Sequence, residues 1–438
     1  LPEESTGGTD LAETGAVDFD DFMREVPSLS ISDNGRGDKR IVMRGVSATG
    51  SGTVGLYFDE IVMTGSALGD DGGRQPHIKL FDMDRIEVLR GPQGTTFGSS
   101  SLSGTIRWLP RTPEYGKFSG EVGARATVLK ESDSTGYQYD GVINVPLGDR
   151  VAVRLAGLHV TIPGYIDGRF GEDLDEEDTN AVRAMLGWRI TDELEFSFLT
   201  MYQKTDLAGR TSFSTANLDL PASPTLNGQS FPTRYYTSDQ TRPSRDEDIA
   251  MYSGKLVYSK DWGTITAASS LFDRDSGFAR DAGAAAEILS VGRLHADSDG
   301  ISLLQNPQHF RIRSSELRFS SDWSGPLQIL LGVYNDNEDR KGGSRWASVD
   351  PATGVEGIDS VVFLHRLEAT HVDEQAVFRE VAWNVTDRLS ATAGLRWFDF
   401  EVSQDASRVV DHVQPLHSNE NEDAETPLSD GRIAELLS

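Results

Sequence analysis

From residue 118 onward the chain alternates. Apolar and polar positions exchange with a period of two over about eleven stretches, the spacing that turns successive side chains to opposite faces of a sheet. The stretches are 118–129, 136–145, 150–161, 180–191, 193–204, 249–259, 264–274, 310–321, 327–336, 374–385 and 389–402. In 327–336, Leu327, Ile329, Leu331 and Val333 share one side while Gln328, Tyr334 and Asp336 take the other; in 150–161, Val151, Val153 and Leu155 oppose Arg150 and Arg154. Upstream the pattern is shorter and mixed. Phe19, Phe22, Met23 and Val26 recur at helical spacing, with Asp18 placed to cap the helix and Pro27 to stop it.

The connections sort into two interleaved sets. One is tight, at 147–150, 191–193, 260–263, 322–325 and 386–388; the other is long, at 162–179, 205–248, 275–309 and 337–373. Short and long in turn put every other hairpin end on the same side, the arrangement of an outer-membrane barrel with short periplasmic turns and longer outer loops. Loops of that length count against a compact soluble β-domain. The predicted fold class is therefore mainly β, with a small mixed α/β unit followed by antiparallel transmembrane strands.

Composition agrees. None of the 438 residues lies in an apolar run approaching the length of a membrane-spanning helix, and mean hydropathy is negative. A barrel gives the same signal, because polar residues facing the lumen dilute the apolar ones facing lipid. The absence of cysteine excludes disulfides and thiolate metal sites. A net charge of −28 argues against nucleic acid as a partner. The acidic runs 171–178, 335–339 and 419–425 lack the fixed ligand spacing of a calcium loop and read as solvated segments.

The most specific segment is 81–113, FDMDRIEVLRGPQGTTFGSSSLSGTIRWLPRTP. An alternating strand, Ile86 to Arg90, breaks into an apex carrying Gly91, Pro92, Gly94 and Gly98, and a second strand follows from Thr105 to Leu109. This order closely resembles the plug-domain signature of TonB-dependent outer-membrane receptors, R-I-E-V-[LI]-[RK]-G-P-x-[GS]-x-x-[YF]-G. Ile41-Val42-Met43-Arg44-Gly45-Val46 and Val54-Gly55-Leu56-Tyr57-Phe58-Asp59-Glu60-Ile61 resemble two earlier plug strands, in the family's order. Glu60, Ser99 and Ser103 depart from the family pattern. Further on, the 315–321 stretch SELRFSS, Gly332-Val333-Tyr334, and Gln375 to Leu389 followed by Gly394-Leu395-Arg396-Trp397 resemble the family's barrel strands.

The resemblance implies a plug over 1–114 and the first half of a barrel over 115–438, about 11 strands of an expected 22 or so. The second half, and a leader with its TonB-contact segment, are expected to lie outside this chain: 419–438 lacks an aromatic-ended closing strand, and 1–10 has no TonB-box-like stretch. Half a barrel leaves unpaired edges in hydrocarbon, so alone it is expected to be insoluble or molten. Function follows from the same resemblance: active import across the outer membrane of a Gram-negative bacterium, driven by TonB and its inner-membrane energising complex. A ferric siderophore or similar iron complex is the expected substrate, with carbohydrate or cobalamin as the rival class. A non-transporting receptor or adhesin and a passive porin are the alternatives of other kinds.

Arg44, Glu87 and Arg90, charged positions in apolar plug strands, are expected to form an exchangeable polar network between plug and barrel. Arg74, His77 and Phe97 of the plug, and Tyr165, Arg169, Tyr235, Tyr236 and Trp346 of the barrel loops, combine guanidinium, imidazole and aromatic groups suited to an anionic or aromatic substrate. Gln75 and Arg234 accompany them. No cofactor is expected, and no enzyme. Phosphate loops, His-Glu-x-x-His and nucleophile elbows do not occur, and Asp411-His412 with His417 lacks a third ordered ligand for a metal.

Overall fold

The alternation noted above builds the larger of two sheets, and the glycine-rich apex sits at the end of the smaller. The computed structural model describes residues 3–7, 19–23, 26, 28–33, 39–46, 52–65, 75–98, 101–209, 225–226, 229–230, 237, 239–282, 301–357, 360, 362–386 and 388–409.

The N-terminal unit holds β1 (Glu3–Gly7), α1 (Phe19–Met23), β2 (Leu29–Asp33), β3 (Lys39–Met43), β4 (Val54–Phe58), β5 (Ile61–Val62), β6 (Met83–Arg90), α2 (Gly94–Phe97) and β7 (Gly104–Pro110). Five strands form one sheet in the order β1-β6-β7-β4-β5, with β4 and β7 parallel, while β2 and β3 make a separate ribbon. Val54, Leu56, Phe58, Ile86, Val88, Ile106 and Trp108 are buried with Phe22 of α1 and Met43 of β3. Apolar burial of this density is the main driving force for the unit. Gly104 marks a close approach: a Cβ there would collide with Met43 Sδ and the Leu89 carbonyl oxygen.

The wall begins at β8 (Ser119–Val128) and continues through β9 (Thr135–Pro146), β10 (Val151–Ile162), β11 (Glu177–Arg189) and β12 (Leu194–Leu207). A small hairpin, β13 (Thr225–Leu226) and β14 (Gln229–Ser230), stands apart. Then come β15 (Ser244–Lys260), β16 (Gly263–Asp281), β17 (Ser302–Gln305), β18 (Gln308–Ser321), β19 (Leu327–Ser348), β20 (Val362–Thr386) and β21 (Leu389–Val409). Twelve of these strands form one antiparallel sheet with β8 and β21 at its edges.

The wall carries an exposed apolar face, unlike a soluble sheet. Its plug-facing side buries polar groups such as Arg154, Thr179, Arg183, Gln203 and Glu247 among apolar ones such as Leu158, Met201 and Phe272, whereas Leu155 (45% exposed), Val182, Leu317, Val333 and Trp397 (64%) lie on the opposite side. An apolar band outside and polar groups inside is the pattern of a lipid-facing barrel.

Each of the eleven expected wall strands is present. The twelfth, β17, falls inside the expected 275–309 loop. The outer ends of β19 and β20 also run on through residues expected to be loop, 337–348 and 362–373. Those ends carry charges on both faces, which hides the alternation, and they are held by cross-strand pairs. Asn337 donates to Asp373 (2.7 Å), Arg313 to Asp339 (3.0 Å), and His371 Nδ1 lies 2.9 Å from Asp339.

Candidate functional site: the seam between plug and wall

Among the described residues, three sets of polar contacts tie the N-terminal unit to the wall, and a small cavity marks a fourth meeting place. The most buried is centred on Asp82, which leads into β6 with a backbone φ of 50°. Its carboxylate accepts a two-pronged grip from Arg154 of β10, at 2.8 Å from Nε and 2.5 Å from Nη2. Arg183 of β11 adds a bond of 3.2 Å to the same carboxylate and donates to the carbonyl oxygens of Phe81 (3.0 Å) and Asp82 (2.7 Å). The Arg183 guanidinium also stacks 4.8 Å from the Phe81 ring. One carboxylate thus holds two guanidinium groups, all three nearly without exposure.

Just upstream, Lys79 is wholly buried and its Nζ lies 2.5 Å from Glu177 Oε1 and 3.3 Å from His77 Nε2. Gln203 of β12 grips the plug's main chain here: its Oε1 accepts from the Lys79 N–H (3.0 Å) and its Nε2 donates to the His77 carbonyl (2.7 Å). The side-chain amide does what a neighbouring strand would do.

The third contact is wetter. The Asp59–Glu60 turn between β4 and β5 faces Lys255 of β15, at 3.2 Å and 3.5 Å. Burial pushes the Asp59 carboxyl up, against the pull of Lys255. Burial acts on Glu60 too, but Lys255, Arg318 and Arg107 together outweigh it and hold that carboxyl below its ordinary range.

At the fourth, the Tyr57 hydroxyl donates to the Phe97 carbonyl (2.7 Å), and the two rings meet edge to face at 5.2 Å. Beyond them Arg396 of β21 pairs with Glu374 of β20 at 2.7 Å. A cavity of about 90 Å³ remains there, lined by Tyr57, Glu60, Phe97, Glu316, Tyr334 and Arg396 among others.

Outer loops meet above. Arg169 Nη2 donates to the Pro351 carbonyl (2.8 Å), Arg242 N–H to the Gly354 carbonyl (2.8 Å), and both guanidinium groups stand about 5.5 Å from the Phe170 ring.

Several expected site residues are placed differently. Arg44 is exposed on a turn with φ 56°, outside any buried network, because the chain reverses immediately after β3. Glu87 is buried, but its partners are Arg85 (2.8 Å) and Arg107 (3.2 Å), both within the plug sheet, so it braces the plug rather than the seam. Arg90 is half-buried at the end of β6.

His77 is 8% exposed against the wall rather than turned outward, since Gln203 holds its backbone there. Phe97 faces Tyr57 and the wall, not the outer mouth. Trp346 is buried in the wall, its Nε1 donating to Ser302 Oγ (2.7 Å). Tyr165 is half-buried in an outer loop and Arg169 is exposed beside it. Arg74, Arg234, Tyr235, Tyr236, His412 and His417 lie outside the described residues.

Asp82, Lys79, Arg154, Arg183, Gln203 and Lys255 were not singled out as a set in the sequence. The available signal was parity: Arg154 and Arg183 occupy the plug-facing phase of otherwise apolar strands.

Residues 3–105 match the TonB-dependent Receptor Plug Domain family. Among curated proteins, the chain is 28% identical over 141 residues to the pesticin receptor of Yersinia enterocolitica, covering 31% of the chain and 20% of that protein. It is 26% identical over 230 residues to the ferrioxamine B receptor of Salmonella typhimurium, covering 51% and 29%. Among solved structures, the ferric yersiniabactin uptake receptor FyuA from Yersinia pestis superposes with a TM-score of 0.72 at 17% identity, covering 93% of the chain and 61% of that receptor. The ferric citrate transporter FecA gives 0.70 at 14% identity, covering 93% and 57%. The chain therefore spans under a third of these curated relatives and about three fifths of these structures.

Proposed function

We propose that the chain is part of a TonB-dependent receptor, on its plug-domain match and the fold of its wall, and that this receptor imports a ferric siderophore or similar iron chelate across the outer membrane of a Gram-negative bacterium. TonB, energised from the inner membrane, is the partner that moves the plug. The protein is read as a carrier and not a catalyst.

The observation that carries this reading is the chemistry of the seam. Plug and wall share an apolar core that runs from Phe58 and Ile86 to Leu158, Met201 and Phe272, but that seam is laced with ion pairs and hydrogen bonds: Asp82 with Arg154 and Arg183, Lys79 with Glu177, Gln203 with main chain, and Asp59 and Glu60 with Lys255. Such contacts can be exchanged for water one at a time, whereas a dry apolar seam would have to be exposed all at once. A stopper that has to be displaced and reseated needs the first kind. The iron chelate as cargo is supported by the relatives, named as receptors for ferrioxamine B and as a ferric yersiniabactin uptake receptor.

A strain lacking the receptor is expected to lose energy-dependent uptake of one labelled ferric siderophore from a chemically varied panel. Normal uptake of every iron complex, with failure instead on a labelled oligosaccharide or cobalamin, moves the cargo to that class. No uptake defect of any kind sinks the transport reading.

A further inference from the structure

The outward face of the wall near its short-turn end is apolar, and one residue breaks it. Along β20, Val372, Glu374, Ala376 and Phe378 are buried toward the plug, while Asp373, Gln375, Val377 and Arg379 point the other way. The cross-strand neighbours of Arg379 are Leu331 of β19 and Leu395 of β21, and the row continues through Phe319, Ile265 and Tyr258. The next outward row, toward the outer loops, is Leu317, Val333, Val377 and Trp397. Among the described residues the Arg379 side chain has no hydrogen bond or ion pair. It borders an apolar groove of about 560 Å³ lined by Leu317, Leu331, Val333, Val377, Leu395 and Trp397.

Height along the strand decides what such a groove meets. Arg379 lies nearer Thr386, the short-turn end of β20, than Val362 at the far end. Trp383, half-exposed on the same face, sits below it, and Trp188, Trp262 and Trp323 are likewise exposed near short turns. Such a belt marks the interface of a barrel with its periplasmic leaflet. A tilted strand climbs roughly 2.3 Å per residue, which puts Arg379 about 9 Å inside that belt. From there a guanidinium can reach down to headgroup level while its stem stays among apolar neighbours.

A lone guanidinium in hydrocarbon is unfavourable unless it meets an anion, and its planar fork matches phosphate oxygens. We infer that Arg379 and its groove bind one phospholipid of the periplasmic leaflet, with the phosphate on the guanidinium and an acyl chain rising past Leu331 and Val377 toward Trp397. A second copy of the chain fits poorly: a two-fold contact on this patch would set Arg379 near its own copy with no carboxylate in the groove. Lipid A, in the opposite leaflet, is too high. The inference rests on the wall spanning the outer membrane and is independent of the cargo.

The test is native mass spectrometry of the receptor as the cell makes it, purified in detergent and titrated with dioleoyl phosphatidylglycerol or with dioleoylglycerol, which lacks the phosphate. One phosphatidylglycerol is expected to stay bound, at least tenfold more weakly in Arg379→Leu and at an intermediate level in Arg379→Lys, which keeps the charge but loses the planar fork. Dioleoylglycerol should bind parent and variant alike, and weakly. Arg379→Leu removes a charge from an apolar surface, so it should fold at least as well, which heat-modifiable mobility on a gel checks. Equal phosphatidylglycerol binding by parent and Arg379→Leu overturns the inference. So does equal binding of the two lipids, tighter competition by lipid A, or a dimer that Arg379→Leu abolishes. A receptor that inserts into no bilayer overturns the membrane reading and this inference together.

Discussion

The two flanks of the plug are held in different ways. On the side of β10 to β12, Asp82, Lys79 and the 77–79 main chain are gripped by Arg154, Arg183, Glu177 and Gln203, all buried. On the side of β15 to β21, the Asp59–Glu60 turn meets a partly exposed Lys255, and a cavity separates Tyr57 and Phe97 from the wall. Charge pairs cost most to break where no water can replace the lost partner, so the first flank is the fixed one and the second the releasable one. A force applied to the plug should open the second flank first.

The largest expected effect comes from Asp82→Ala. It leaves two buried guanidinium groups without a carboxylate and should cost about 3–5 kcal/mol locally. Hydrogen exchange at 77–90 should rise sharply in this variant, and unchanged protection there removes the idea of a fixed flank.

Gln203→Leu is the next step down. It strands the Lys79 N–H and the His77 carbonyl, at about 1–3 kcal/mol. The comparison sharpens if exchange increases at Lys79 but not at β4.

Lys255→Ala should cost about 1 kcal/mol or less, with the effect fading further in high salt. The adjacent carboxylates then separate. Glu60→Gln should mimic Lys255→Ala, because the structure favours the charged form, while Asp59→Asn should be close to neutral, because burial opposes its charge. In pH terms, Glu60's contribution is complete above its ordinary value of 4.5 and is lost as pH falls through its lowered one. Asp59 runs the other way, losing stability as pH rises through its raised value. Denaturant midpoints measured from pH 3 to 7 on the two single variants check both signs.

Strands were legible wherever one face is apolar, as at Leu327 to Val333, because period-two burial writes itself directly into the sequence. It failed at 337–348 and 362–373, where Asn337, Asp339, His371 and Asp373 pair across strands and both faces are polar. The plug was legible through the resemblance of 81–113 to a family signature, whose glycines meet local needs here: Gly91 has φ 90° and Gly104 admits no side chain. The seam was not. Asp82 lies 72 residues from Arg154 and 101 from Arg183 in the chain, and no local pattern records a contact formed only when two sheets dock. Glu87 stood out for its charge in an apolar strand, yet its neighbours Arg85 and Arg107 satisfy it at home.

Gln203 addresses the peptide groups of Lys79 and His77, not their side chains. Such a grip does not read the side chains it holds, so substitutions at Ile78 that preserve volume should leave it intact, while a proline at 79 would remove one of its two bonds by deleting the donor. Drift at Ile78 is thus tolerated so long as the backbone keeps its path and Lys79 keeps its pairing with Glu177.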